Sequence, residues 1–110
     1  MFEKDLKIAY LLDFYGDVLT ERKKEVLDMY YNEDLSLAEI AEQIGISRQG
    51  VRDLIKKAEE ELLFLESKLD LARKMHSLKK HSDNMISIAK STAVPESLIQ
   101  EIEEIAKIIK

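Results

Sequence analysis

The chain of 110 residues contains no cysteine, no tryptophan, one proline and three glycines. Without cysteine there is no disulfide and no thiolate metal site, a composition that fits a reducing compartment. So little glycine and proline leaves few tight turns, and alternating β-branched runs are missing, so an all-α fold is expected. No apolar run approaches the roughly 20 residues that a membrane-crossing helix needs. Met1 to Lys7, MFEKDLK, is charged and no long apolar run follows it. No signal peptide and no membrane association are therefore expected, with the cytoplasm as the default location. An excess of basic charge is missing too. The net charge of −5 argues against strong nonspecific binding to phosphate but leaves room for a local basic face.

The ingredients of catalysis are also scarce. Gly16, Gly45 and Gly50 stand alone, so no glycine-rich loop cradles a phosphate. His76 and His81 are the only histidines, and on one helix they point about 140° apart, a poor chelating pair. Glu59, Glu60 and Glu61 read as a solvated charge run rather than an acid–base pair. Nothing pairs a nucleophile with an orienting base. No enzyme activity, catalytic residue, metal or cofactor is expected.

What is present is helical. With 45% hydrophobic and 35% charged residues, the chain can bury a core beneath a wet surface. The informative stretch is Ser36 to Ala58, SLAEIAEQIGISRQGVRDLIKKA. Ser36 and Glu39 have the spacing of a capping box. Leu37, Ile40, Ala41 and Ile44 follow at the spacing of one helical face, and Ala41 is small where two helices must cross closely. Gly45 supplies the positive φ that ends a helix, and Ile46 can plug the gap at the turn. Ser47 can cap a second helix whose inward face is Val51, Leu54, Ile55 and Ala58. These features together predict a helix-turn-helix. An ordinary helical hairpin would pack in the same way, so the motif does not by itself define a function.

Around this motif, a first helix is expected over Glu3–Tyr15, with Leu6, Ile8, Ala9, Leu11, Leu12 and Phe14 crowding much of its circumference. Tyr10, Phe14 and Tyr15 read as packing residues rather than a base-stacking platform, because no basic groove surrounds them. Thr20 should cap a helix from Glu21 to about Tyr31, with Val26, Leu27 and Tyr30 inward. Arg22, Lys23 and Lys24 form a short basic run near its start, either a solvated face or a set of phosphate contacts. After Ala58 no glycine or proline intervenes, and Leu62, Leu65, Leu69 and Ala72 recur at helical spacing. A continuous helix from Arg48 to roughly Met75, ~40 Å long, needs cover for its distal half: the first helix, the C-terminal segment or a second copy. A homodimer is expected on that ground. His76 to Asn84, HSLKKHSDN, should contain a bend, with Ser82 capping a short helix through Ala89. Ser91 to Ala93 reads as a turn, and Pro95 as the first position of a last helix. Its stripe would be Leu98, Ile99, Ile102, Ile105, Ala106 and Ile109, with Ile105, Ile108 and Ile109 docked within the fold or against a partner. Residues 1–75 would then be the helix-turn-helix domain with its N-terminal helix and extended recognition helix, and 76–110 a C-terminal helical segment.

Taking Val51 as the centre of the buried face, Gln49, Arg52, Asp53, Lys56 and Glu60 point outward. Gln49 and Arg52 can pair with adenine and guanine edges, while Arg48, Lys56 and Lys57 suit phosphates. Gly50 would let a partner approach the backbone. Asp53 could orient Arg52 or Lys57, accept from a cytosine amine, or repel the duplex. From Thr20 to Ala58 there are 7 Lys and Arg against 8 Asp and Glu, a weak footprint for a DNA binder. Duplex DNA and a protein therefore stand as alternative partners of this helix.

The stretch LTERKKEVLDMYYNEDLSLAEIAEQIGISRQGVRDLIKKA resembles region 4 of bacterial sigma factors. With LDFYGDVLTERKKEVLDMYYNEDLSLAEIAE and the extension RDLIKKAEEELLFLESKL, the chain also resembles the YlxM family of small bacterial proteins, closely over Lys4 to Lys74 and more loosely after His76. The resemblance implies a helix-turn-helix of the winged-helix-like superfamily without a wing, carrying a long C-terminal helical extension. From sigma region 4, Arg48, Gln49, Arg52 and Lys56 carry over as DNA-reading positions. The acidic continuation after Ala58 departs from sigma factors. The YlxM family implies a role in the signal recognition particle pathway, drawn mainly from gene neighbourhood with the targeting GTPase. Two functions follow as expectations: a DNA-binding regulatory protein, or a protein-interaction module that binds the particle's GTPase or its RNA.

Overall fold

The computed structural model describes residues 6–109, and Glu3–Asp5 of the expected first helix lie outside the described residues. All regular structure among the described residues is helical, in the order α1 (Leu6–Tyr15), α2 (Glu21–Leu27), α3 (Leu37–Ile44), α4 (Arg48–Leu69), α5 (Leu71–Ser91) and α6 (Glu96–Ile109). The chain divides into two compact units, one ending at Leu69 and the other beginning at Asp70, rather than at residue 75.

In the first unit, α1, α2 and α3 each pack on α4. Helix α1 buries Ile8, Leu11, Leu12 and Tyr15, a single i, i+3, i+4, i+7 face. The expectation of burial around much of its circumference is corrected, since Leu6, Tyr10 and Phe14 recur every four residues on the outer side and stay exposed. The Tyr15 ring packs edge-on against Phe14, with centroids 5.0 Å apart. A single 3₁₀ turn, Gly16–Val18, leads to Thr20, whose hydroxyl accepts the Lys23 backbone N–H and caps α2.

Helix α2 does not end as an ordinary helix. It widens into a π-turn over Asp28–Asn32, closed by the Glu33 N–H donating to the Asp28 carbonyl. The widening presents two consecutive tyrosines to the interior side: Tyr30 is buried, and its ring meets Tyr31 edge-on at 5.1 Å. Asp34 then takes a left-handed φ of 55°, which Asp tolerates better than most residues.

Helix α4 runs 22 residues, ~33 Å, not the length to Met75. Its buried face is Val51, Ile55, Ala58 and Leu62. Leu62 is 0% exposed, so the chain itself covers it, whereas Leu69 further along is 47% exposed. Burial of such a side chain stabilises by roughly 1.5–3 kcal/mol. Three polar links reinforce it: the Tyr31 hydroxyl donates to Glu59, Lys23 pairs with Glu61, and the Tyr15 hydroxyl donates to Glu66. Glu59 and Glu61 are therefore half-buried structural acceptors, and only Glu60 of that run lies in solvent. The helix stops because Asp70 adopts a left-handed conformation, φ 54° and ψ 24°, held by Arg73 on its carboxylate.

The second unit is a helical hairpin of α5 and α6. No bend occurs between His76 and Asn84; α5 passes straight through. Its polar residues mark an exposed stretch of helix rather than an end. Ser82 accordingly caps nothing. It sits mid-helix at 1% exposure, and its hydroxyl has no hydrogen-bond partner. The connector follows Ser91, and the Leu98 N–H donates to the Pro95 carbonyl at the start of α6. Ile102 is the buried centre of α6, with Ile99, Ala106 and Ile109 half-buried; Leu98, Ile105 and Ile108 are not covered by the chain itself. The 3.6-residue period places them on the outer flank.

Candidate nucleic-acid interface

Each local feature of the helix-turn-helix has a visible cause. The capping box is complete: the Glu39 N–H donates to the Ser36 hydroxyl at 3.1 Å, and the Ser36 N–H donates to the Glu39 carboxylate at 3.1 Å. The Ser36 N–H, and after it the Ser36 hydroxyl, hold the Glu39 carboxyl below its ordinary range. Ile40 and Ala41 are the buried contacts of α3. Gly45 has φ 74°, and both its N–H and that of Ile46 donate to the Ala41 carbonyl, which ends the helix. The Ser47 hydroxyl then accepts the Gly50 N–H at 3.0 Å and opens α4.

Two expectations at the turn are corrected. Ile46 does not plug the space between the helices; it is 39% exposed. Its side chain lies instead over Gly50, where an added Cβ would stand 3.4 Å from Ile46 Cδ1 and 3.2 Å from Ser47 Oγ. The close approach that Gly50 permits is thus made by the turn itself, not by an outside partner.

The sequence-derived reading positions fall together on the first turns of α4. Arg48, Gln49, Arg52, Lys56 and Lys57 are all exposed, and among the described residues Arg48, Arg52, Lys56 and Lys57 form no ion pair. Asp53 is bound to neither Arg52 nor Lys57. It accepts a hydrogen bond from the Gln49 side-chain amide at 3.0 Å, one turn back. Gln49 keeps its carbonyl and one N–H for another partner. Asp53, Lys56, Lys57 and Glu60 surround a shallow hollow of mixed charge.

The basic run of α2 behaves differently. Lys23 reaches Glu61 at 2.8 Å and Lys24 reaches Asp17 at 2.6 Å, leaving Arg22 exposed with no ion pair among the described residues. The Asp17 bond and charge raise the Lys24 ammonium, and Lys24 lowers Asp17 in return. Beside them lies an open cleft of about 490 Å³ faced by Asp17, Glu21, Glu25, Asp28 and Glu33. Sequence spacing missed that acidic hollow, because Asp17 and Glu33 join it only through the fold. It also missed a second cleft beside Arg52 and Lys56, whose walls come from three separate helical segments.

A capped helix, a glycine-ended turn and a second capped helix with an open polar face define a helix-turn-helix protein. The chain matches, over residues 2–105, the family described as "Putative helix-turn-helix protein, YlxM / p13 like", and it belongs to that family. It is 43% identical over 89 residues to a UPF0122 protein of Clostridium kluyveri, covering 81% of this chain and 80% of that one. It is 40% identical over 108 residues to a UPF0122 protein of a Thermoanaerobacter species, covering 96% and 92%. A third relative, the UPF0122 protein of Acetivibrio thermocellus, is 42% identical over 108 residues, covering 98% and 89%.

Proposed function

We propose that this protein is a non-catalytic regulator that binds duplex DNA through the N-terminal half of α4. The observation that carries this reading is a set of exposed cations without ion pairs next to a capped turn: Arg48, Arg52 and Lys56 along one side of α4, with Lys57 on the other flank. In this reading Arg52 and Gln49 meet base edges, and Arg48, Lys56, Lys57 and Arg22 meet phosphates. Lys23 and Lys24 contribute little, because each would have to leave a carboxylate first. The protein acts in the cytoplasm as a homodimer. Of the residues on which the dimer is expected, Leu62 is buried and Leu69 is exposed, and the exposed Leu63 and Phe64 of α4 add to that ground. Salt-dependent binding to duplex DNA, weakened by Arg52→Ala, is the expected result; no binding at low ionic strength overturns it.

A second reading has its own support. The acidic cleft at Asp17, Glu21, Glu25, Asp28 and Glu33 and the net charge of −5 favour a basic protein surface over nucleic acid. Under this reading the protein modulates the signal recognition particle by binding a basic surface of its GTPase. Recovery of a particle component in a pull-down that Glu25→Lys abolishes and Arg52→Ala does not would separate it from the first.

A further inference from the structure

Next to the reading face, the π-turn, the start of α3 and the middle of α4 leave a cleft of about 260 Å³ between them. Tyr30 and Ile55, both buried, form its floor, and the half-buried Leu37 forms one wall. Arg52, Lys56 and Glu59, at i, i+4 and i+7 along one side of α4, supply its charged edge. We infer that this cleft binds a small organic anion with a ring-sized apolar tail, and that an occupied cleft and a bound duplex exclude each other. The second half rests on the DNA-binding reading above; the first does not.

The size and the charge arrangement select the ligand. The volume is just below the roughly 300–1,000 Å³ of sites for drug-sized ligands, so one ring and a short arm fill it. Tyr30, Leu37 and Ile55 offer the tail an apolar surface that is otherwise wet. The charges are not symmetric. Arg52 and Lys56 have no ion-pair partner among the described residues, whereas the Glu59 carboxylate accepts the Tyr31 hydroxyl at 2.6 Å and is fixed in place. A carboxylate head therefore pairs with Arg52 and Lys56, where charge-assisted hydrogen bonds are strongest. A cation is disfavoured, because two unpaired cations outnumber the one carboxylate, Glu59. The head would occupy the two cations that the duplex also requires, which makes the two events competitive.

The test uses the full chain, isotope-labelled for amide NMR, titrated with 3-phenylpropionate and with its neutral amide. The expected result is saturable shifts confined to residues around 30, 37, 52, 55, 56 and 59, with the amide binding at least about tenfold more weakly. Lys56→Gln should remove the difference between carboxylate and amide. Leu37→Gln should weaken both, its amide spectrum confirming that the fold is kept. In a second arm, phenylpropionate should release a fluorescent duplex while the amide does not. Linear shifts scattered over the surface, equal binding of acid and amide, or saturation elsewhere would overturn the site. Localised shifts produced only by an acidic peptide would replace the small anion with a protein partner. If the duplex does not bind at all, the NMR arm still decides the cleft, and only the mutual exclusion falls.

Discussion

The hydroxyl of Tyr15 donates to the carboxylate of Glu66 at 2.6 Å, joining residues 51 positions apart in the sequence. This bond fastens the end of α1 to the far end of α4, just before the left-handed residue that stops that helix. Tyr15→Phe keeps the ring and removes the bond. It should cost about 1 kcal/mol, read as a lower midpoint in urea denaturation with an unchanged slope.

The capping box gives a pH signature. Glu39 is held low by the Ser36 N–H and then by the Ser36 hydroxyl, so its contribution is complete above the ordinary carboxylate value. That contribution is lost as the pH falls through the lowered value of the folded state. The difference in melting temperature between the protein and Glu39→Ala should be clear at about pH 7 and shrink as the pH falls below the ordinary carboxylate range. Ser36→Ala, which removes the cap itself, should cost about 1 kcal/mol at neutral pH.

The two glycines of the motif should respond differently to alanine. At Gly45 there is open space for a Cβ but φ is +74°, so Gly45→Ala costs about 1–2 kcal/mol of backbone strain. At Gly50 the backbone is ordinary helix, where alanine gains roughly 0.5–1 kcal/mol, offset by the contacts at 3.2 and 3.4 Å with Ser47 and Ile46. Chemical denaturation of both variants should place Gly50→Ala nearer the parent protein.

Ser82 is the buried hydroxyl left without a partner, inside α5 next to a small cavity of about 70 Å³ that Lys79, Asp83, Ala106 and Ile109 also line. Ser82→Ala removes an unmet hydrogen-bonding group at almost no change in volume. It should be neutral or stabilising by up to about 1 kcal/mol. A loss of that size instead would show that the hydroxyl is bonded in solution.

The salt dependence of duplex binding should separate the cations. Each phosphate contact removed lowers the slope of log affinity against log salt by about one. Lys57→Ala and Arg22→Ala should each do so. Lys23→Ala should leave the slope in place and instead cost up to about 1 kcal/mol of stability through its partner Glu61.

The helix-turn-helix was legible because its determinants are local. Ser36, Glu39, Gly45 and Ser47 each act within four residues, and their spacing alone carries the geometry. The reading face followed from the same period once Val51 was taken as buried. Other features were hidden for physical reasons. The break at Asp70 uses a left-handed aspartate, with no glycine or proline to announce it. The polar run from His76 to Asn84 resembles a loop, but polarity reports exposure rather than the end of a helix. Ile46 is apolar for the sake of Gly50, a contact within the turn that a core-seeking reading passes over. The ion pairs that occupy Lys23 and Lys24 depend on Glu61 and Asp17, and nothing in the spacing of the basic run reveals them.

The widened turn at Asp28–Asn32 also bears on which genetic changes the protein can absorb. A π-turn holds one residue more than an α-turn, so deleting a single codon there would close it to an ordinary helical turn and leave the chain beyond it nearly in phase. Inside α4 the same deletion would turn the reading face by about 100° against the buried one. Lineages of this gene should accordingly tolerate the loss of one residue in this turn far more readily than the loss of one in α4.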